Sequence, residues 1–272
     1  MGRVVRHEEI IRLVSKLREV SVQTLTERFN VSEATIRKDL TLLEEMGYLV
    51  RTHGGAILAE DRKREESIGL RRDKDLEEKR AIVARAREFV HEGDTIYVDS
   101  GSTCALLARE VRDMTIRVVC HSLGVYQELK ASPGASIFSL GGSYRKDAES
   151  FIGPIAVENL RHFQIETCFI GANSFSEQGI FSSQNIIEAH LKTEVLKVSK
   201  RRIILADHTK YNAFGFSVFA RPGEFDVLIT DDGFQDAMRL QALGIEVLRA
   251  DRRELSIKKP ASPSRRGNRP VK

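Results

Sequence analysis

Residues 20–39 read VSVQTLTERFNVSEATIRKD, and this run constrains the fold more than any other. Val22, Leu25 and Phe29 repeat at helical spacing and predict one short helix with a core-facing side. Asn30 suits a turn, because asparagine tolerates a left-handed backbone. Ser32 is a good N-cap for a second helix, whose buried stripe is Ile36, Leu40 and Leu43. Val31 fills the space between the two helices. A third helix precedes them over residues 7–17, with Ile10, Ile11, Val14 and Leu17 on its apolar side.

The stripe fixes what faces outward. With Ile36 at the centre of the buried face, Ala34, Lys38 and Thr41 fall opposite it and Thr35 and Arg37 lie on the flanks. Ala34 is small enough for close approach to a duplex, Thr35 can bond a base edge or a phosphate, and Arg37 and Lys38 can reach guanine edges or phosphates. The bland alternative is a helical hairpin with a solvated charged face. Turn, cap, stripe and basic face agree on a helix built for the major groove. Thr24 and Ser32, near the starts of the two helices, join the candidate contacts. Downstream, a helix stop at Gly47 and two short strands turning at Gly54–Gly55 describe a wing that brings Arg51 and His53 to the phosphate backbone. A wing histidine can equally cap the turn.

Taken together, VSEATIRKDL and LEEMGYLVRTHGGA resemble the DeoR family of bacterial transcription regulators. Lys38 stands where that family more often carries a second arginine, which exchanges a bidentate fork for a point charge.

The chain has 272 residues, enough for two domains with their own cores. No apolar run is long enough to span a membrane, and the N-terminus does not read as a signal peptide. Cys104, Cys120 and Cys168 are too scattered for a metal site or a disulfide framework and fit a reducing cytoplasm. The net charge of +4 says little about DNA: the six cations of residues 258–272 account for it, and without them the remainder is −2. Placement is the argument, with Arg37, Lys38 and Arg51 on the reading surface. The division expected is a DNA-binding unit over 1–60, a charged linker and helix start over 61–80, an effector domain over 81–257, and a disordered basic tail over 258–272.

From residue 95 onward apolar runs alternate with helical patterns. Strands are predicted over 95–99, 116–120, 135–140, 166–171, 202–206, 225–230 and 245–249, and helices over 103–111, 123–131, 154–163, 187–198 and 234–243. This alternation predicts an α/β fold: a mainly parallel sheet with helices on both faces, joined to the winged helix-turn-helix.

Ligands of such sheets bind beyond the carboxyl ends of the strands. Those ends carry Asp99-Ser100-Gly101-Ser102-Thr103, His121-Ser122, Gly141-Gly142 with Arg145 close behind, and Asp207 with Lys210. Small residues, hydroxyls and a helix N-terminus suit a phosphate. Each piece has a plainer reading: helix capping for 99–103, a tight turn at Gly141–Gly142, a solvated charge at Arg145, and a local ion pair for Asp207 and Lys210. For Glu188 and Lys192, one helical turn apart, the plainer reading is an exposed pair worth about 0.3–0.5 kcal/mol; the combination of all these pieces favours a ligand site.

Here the resemblance extends. DSGST, the GlyGly turn, FIGPIA, FIGA, EAHLK and LADHTK are similar to the DeoR-family effector domain, which has the fold of sugar-phosphate isomerases. It implies a phosphorylated sugar or related metabolite at Asp99, Gly101, Ser102, Thr103, Ser122, Gly141, Gly142, Glu188, Lys192, Asp207 and Lys210. His121 stands where the family usually has asparagine, and Glu166 where aspartate is usual. The expected function is a repressor of a sugar-catabolic operon that binds double-stranded operator DNA as a homo-oligomer, a dimer or tetramer, and needs no metal or cofactor. The alternative is an isomerase carrying a DNA-binding unit. Isomerisation needs a base beside the carbonyl, and isomerases of this fold place acids where this chain has Ala172, Asn173, Ser174 and Phe175, so no catalytic residue is assigned. A structural DNA-binding protein without a ligand fits the large second domain poorly.

Overall fold

A computed structural model describes residues 2–45, 48–52, 54–57, 68–213 and 215–251. His53, the proposed helix stop at Gly47, residues 61–67 of the charged linker and the basic tail lie outside the described residues.

The N-terminal unit runs α1 (Arg3–Leu17), β1 (Glu19–Ser21), α2 (Val22–Phe29), α3 (Glu33–Glu45), β2 (Val50–Arg51) and β3 (Gly55–Ile57). Ile10, Ile11 and Val14 meet Val22, Leu25, Ile36, Leu40 and Leu43 in one buried core, with Phe29 and Val31 half-buried against it. Asn30 is left-handed at φ 50°, and the Ser32 hydroxyl accepts from the Thr35 amide at 3.3 Å.

Two details depart from the sequence reading. Leu17 is 54 % exposed instead of core: α1 ends at that residue, Arg18 turns the chain at φ 69°, and Val20 of β1 continues the core. The wing has three strands, in the order β1-β3-β2, because Glu19–Ser21 pairs antiparallel with Gly55–Ile57. Gly55 therefore sits inside a strand. A Cβ there would lie 1.9 Å from the Val20 carbonyl oxygen, so close strand approach, not turn geometry, requires glycine.

The second unit opens with α4 (Ile68–Asp73) and α5 (Leu76–Arg87) and continues β4 (Thr95–Val98), α6 (Ser102–Glu110), β5 (Arg117–Cys120), α7 (Leu123–Leu129) and β6 (Ser136–Ser139). A hairpin follows, β7 (Ser143–Arg145) and β8 (Ser150–Ile152), then α8 (Pro154–Leu160), β9 (Ile165–Gly171), β10 (Ser174–Phe175), β11 (Phe181–Ser183) and α9 (Ile186–Val198). The chain finishes with β12 (Ser199–Leu205), β13 (Ser217–Ala220), β14 (Val227–Asp231), α10 (Ala237–Gln241) and β15 (Glu246–Ala250).

All seven predicted strands enter one parallel sheet, ordered β15-β14-β12-β9-β4-β5-β6. Alternation along β4 shows how it is covered. Ile96 and Val98 pack with α5, α6 and α7 on one face, through Ile82, Leu107 and Val125; Tyr97 faces α8, α9 and α10, through Val157, Leu191 and Leu240. The core of the N-terminal unit is continuous with that second face, and α1 packs on α8. From β4 the strand order runs one way through β5 and β6, and from β9 the other way through β12, β14 and β15. The β4–β9 boundary is thus the topological switch point, where open α/β sheets bind ligands.

Candidate functional site

Two charged regions stand out, and the first is the outer face of α3. Ala34, Arg37 and Lys38 are exposed there, and Thr35 and Thr41 half-buried. Arg51 reaches across from the wing: its Nη1 donates to Thr41 Oγ1 at 2.8 Å while its backbone amide donates to Glu44 at 2.8 Å. Arg37, Lys38, Thr41 and Arg51 therefore line one shallow depression between helix and wing. Arg37 also meets Glu33 one turn back at 3.4 Å. Thr24 is exposed in the first turn of α2, its amide held by the Ser21 hydroxyl at 3.0 Å, and the Ser32 and Thr35 hydroxyls bond each other at 2.9 Å.

Beneath this face lies a group not foreseen from sequence. Asp39 is buried and accepts from Arg6 Nε at 2.6 Å, with His7 Nε2 at 2.8 Å. Burial pushes the Asp39 carboxyl up, but the hydrogen bonds from Arg6 and His7 outweigh it and hold the group below the usual carboxylate range. The clasp fixes α3 on α1. Its signal was an acid within the Ile36–Leu40–Leu43 stripe.

The second region is a cleft at the switch point. Gly101 begins α6 at φ 105° and presents Ser102 and Thr103 at the helix N-terminus, with open space where a Cβ would stand. Asp99, fully buried, forms the floor: its Oδ2 accepts from the Gly171 amide at 3.0 Å and from Lys192 Nζ at 2.7 Å. Lys192 also donates to the Gly171 carbonyl at 2.6 Å and lies 3.2 Å from Glu188. Glu188 accepts from Ser100 at 3.3 Å and from Arg145 at 2.7 Å. Burial would raise the Glu188 carboxyl, yet Lys192 and Arg145 hold it well below its ordinary value. Burial would lower Lys192, yet Asp99 and Glu188 raise it. Glu188 and Lys192 are therefore both charged.

That network excludes two of the plainer readings. Glu188 and Lys192 are 4 % and 3 % exposed in their side chains, so they are a buried cluster and not a surface pair. Both lie on the buried face of α9 with Leu191 and Val195, whereas the helix turns Lys197 to water. Arg145 is not a solvated loop charge but lies on β7, bonded to Glu188.

The opposite wall holds Asp207 and Lys210, 3.9 Å apart, with Asp207 capping a single 3-10 turn through the Thr209 amide. Arg71, Lys74 and Lys79 add cations from the α4–α5 corner. Lys79 is buried and donates to the carbonyls of Arg71 and Lys74, which closes the corner; burial lowers its pKa. These three were hidden in a run of alternating charge. The visible sign was a lysine in the apolar stripe of α5, three residues before Ile82.

Ser100, Gly101, Ser102, Thr103, Glu188, Lys192, Asp207 and Lys210 thus share the cleft with Asp99 beneath them. His121, Ser122, Gly141 and Gly142 do not line it. His121 is fully buried below, neutral because burial lowers its pKa, with Tyr97 OH at 2.7 Å from Nδ1; its Nε2 and Asp99 Oδ1 face each other at 3.7 Å without hydrogen-bond partners. Ser122 caps α7, and Gly141 and Gly142, at φ 66° and 111°, lead into β7. Chemically the cleft offers a helix N-terminus, hydroxyls and several cations, the means to hold an anion. Cys104, Cys120 and Cys168 are buried free thiols, and the described residues contain no group of side chains arranged for a metal. No helix among them is long and apolar enough to cross a membrane.

Residues 74–232 match the family model of the DeoR C terminal sensor domain, and residues 6–62 that of the DeoR-like helix-turn-helix domain. The transcriptional repressor AccR of Agrobacterium fabrum is 32 % identical over 84 % of this chain and 89 % of its own. The lactose phosphotransferase system repressor of Streptococcus mutans is 34 % identical over 88 % of this chain and 95 % of its own. Among solved structures, ribose 5-phosphate isomerase A of Methanocaldococcus jannaschii aligns over 49 % of this chain and 53 % of its own, with 16 % identity and a TM-score of 0.37. A likeness at that level carries no argument about mechanism.

Proposed function

Since this chain belongs to the DeoR family and is a sequence-specific DNA-binding transcriptional regulator, not an enzyme, we propose that it is a repressor released by a phosphorylated sugar or related metabolite. The observation that carries the reading is the cleft at the switch point, where the α6 N-terminus faces Lys210 and the cations of the α4–α5 corner. A phosphate takes the amides and cations; the carboxylates of Asp207 and Glu188 are left for sugar hydroxyls. The name of the Streptococcus mutans relative, a repressor of a lactose phosphotransferase system, supports the same ligand class.

Residues 1–60 read DNA in this proposal, through Thr24, Ser32, Ala34, Thr35, Arg37, Lys38, Thr41, Arg51 and His53, and the unit that starts at α4, with the α4–α5 corner included, senses the ligand. One winged helix covers one half-site, so the active species is a homodimer or larger homo-oligomer on a repeated site. The ligand must prefer the state that does not bind DNA. The test is a thermal-shift screen of the full chain against phosphorylated sugars, repeated with Lys210→Ala. We expect a sugar phosphate to stabilise the wild type, to act more weakly on Lys210→Ala, and to release a duplex selected from random DNA. Stabilisation by free sugars and phosphorylated sugars alike would overturn the ligand class. A ligand that binds and leaves the duplex bound would overturn the switch.

A further inference from the structure

The two units meet through a built contact. Glu8 lies on α1 in the DNA-binding unit, yet its carboxylate is buried against the sheet domain. Oε2 accepts from Ser143 Oγ at 2.5 Å, and Oε1 accepts from the Ile155 amide at 2.9 Å. The seat is shaped for it: a Cβ on Gly153, at φ 108°, would stand 2.5 Å from Glu8 Oε1. A second contact lies beside it, where the Tyr48 ring meets His190 of α9 edge-on at 5.3 Å.

The strand that supplies Ser143 also supplies Arg145. Residues two apart on a strand share a face, so β7 holds Glu8 at one end and Glu188 at the other, the second bond being 2.7 Å. Glu188 is not a remote partner. Its Oε1 faces Ser100 and Lys192 in the cleft, and its Oε2 is the atom that Arg145 grips. The same hairpin anchors the corner that forms the cleft's cationic wall: the Ile68 amide donates to the Asp147 carbonyl, and Arg72 meets Glu149 at 3.0 Å. The route from the cleft to α1 is thus a hydrogen bond at each end of β7, joined by the backbone of the strand.

We propose that Glu8 is a positioning residue of the ligand response, and that β7 is the strut that couples it, through Ser143 and Arg145, to Glu188 in the cleft. The proposal rests on the reading of that cleft as the effector site. Glu8 touches neither DNA nor ligand. A ligand that engages Glu188 or draws Arg145 away from it displaces β7, and the α1 seat is the first part of the DNA-binding unit to register the change. Because Arg6 and His7 on the same helix clasp Asp39 of α3, a shift of α1 re-aims the recognition helix.

Hydrogen exchange of the full chain, without DNA or ligand, tests the coupling directly. Arg145→Gln removes the bond to Glu188 and leaves Glu8 and Ser143 unaltered, yet it should speed exchange of the α1 amides on the order of tenfold, the size of couplings carried between packed sites. Ser143→Ala should do the same. Glu8→Ala should match them, whereas Glu8→Gln, which can accept from Ile155 and donate to Ser143, should restore protection. The response of α1 to Arg145→Gln is the readout that a residue merely holding the two units together would not give. Unchanged α1 exchange in Arg145→Gln, with faster exchange confined to the cleft, would overturn the strut, as would equal exchange in Glu8→Ala and Glu8→Gln. No ligand enters this experiment, so a failed sugar-phosphate screen condemns the reading of the cleft and a flat exchange profile condemns the coupling.

Discussion

The recognition face and the cleft both depend on charge, and they hold it in opposite ways. On α3 the Arg37 side chain is 49 % exposed and Lys38 faces water; in the cleft Asp99 and Lys192 are 0 % and 3 % exposed. Charges left in water contribute little to folding, so they are free to be set by the partner they read. Charges taken out of water must be mutually satisfied before any ligand arrives. In the proposed reading the cleft therefore combines binding and folding in the same side chains, and the recognition face separates them.

The sharpest challenge to this contrast is Lys192→Met. It leaves Asp99 and Glu188 buried without their shared cation and should cost about 3–5 kcal/mol, read as a lowered urea midpoint of the full chain. A midpoint equal to wild type would erase the distinction between the two regions. Next in size is Arg37→Ala, for which we expect a loss of about 1–3 kcal/mol in affinity for a selected duplex, concentrated at one base position and with unchanged folding. Uniform weakening across sequences would reassign Arg37 to a phosphate.

The Asp39 clasp sharpens the comparison, being a buried charge within the DNA-reading unit. Its folded pKa is depressed, so its contribution is complete above the unfolded carboxylate value of about pH 4 and is lost as pH falls through the lower folded value. Exchange protection of α1 and α3 should fall over that acid range, and Asp39→Asn, weaker at neutral pH, should flatten the dependence. An unaltered acid profile in the variant would place the acid sensitivity elsewhere. The smallest effect belongs to Lys38→Met, expected to change folding stability by no more than about 0.5 kcal/mol while weakening DNA binding in a salt-dependent way. A large loss of stability would mean that Lys38 has a role within the fold.

What the sequence disclosed follows the same division between apolar pattern and polar pairing. The seven central strands were legible because each is a short apolar run between turn signals, and the recognition helix because Ile36, Leu40 and Leu43 fix its orientation. The β7–β8 hairpin and the β10–β11–β13 ribbon were not, being strands of two to four residues with serine at many positions. Asp39 and Lys79 were visible as polar residues inside apolar stripes, but their partners are set by packing between helices, which periodicity does not report. The burial of Glu188 and Lys192 was masked by their i, i+4 spacing, which surface pairs share.

The seat of Glu8 bears on how such chains diversify. The DNA-reading head does not end in a finished surface: its core runs on into the face covered by α8 and α9, and it plugs a carboxylate into a socket cut by Gly153 and Ser143. A head grafted from one chain onto the sensor of another brings its plug without the matching socket. A graft onto or from this chain therefore keeps the joint only where Glu8 and Tyr48 travel with Ser143, Gly153 and His190, although more than 90 residues of chain separate the two groups. Substitution on the outer face of α3, whose exposed Ala34, Arg37 and Lys38 take no part in the joint, would change what the head reads and leave its seat intact.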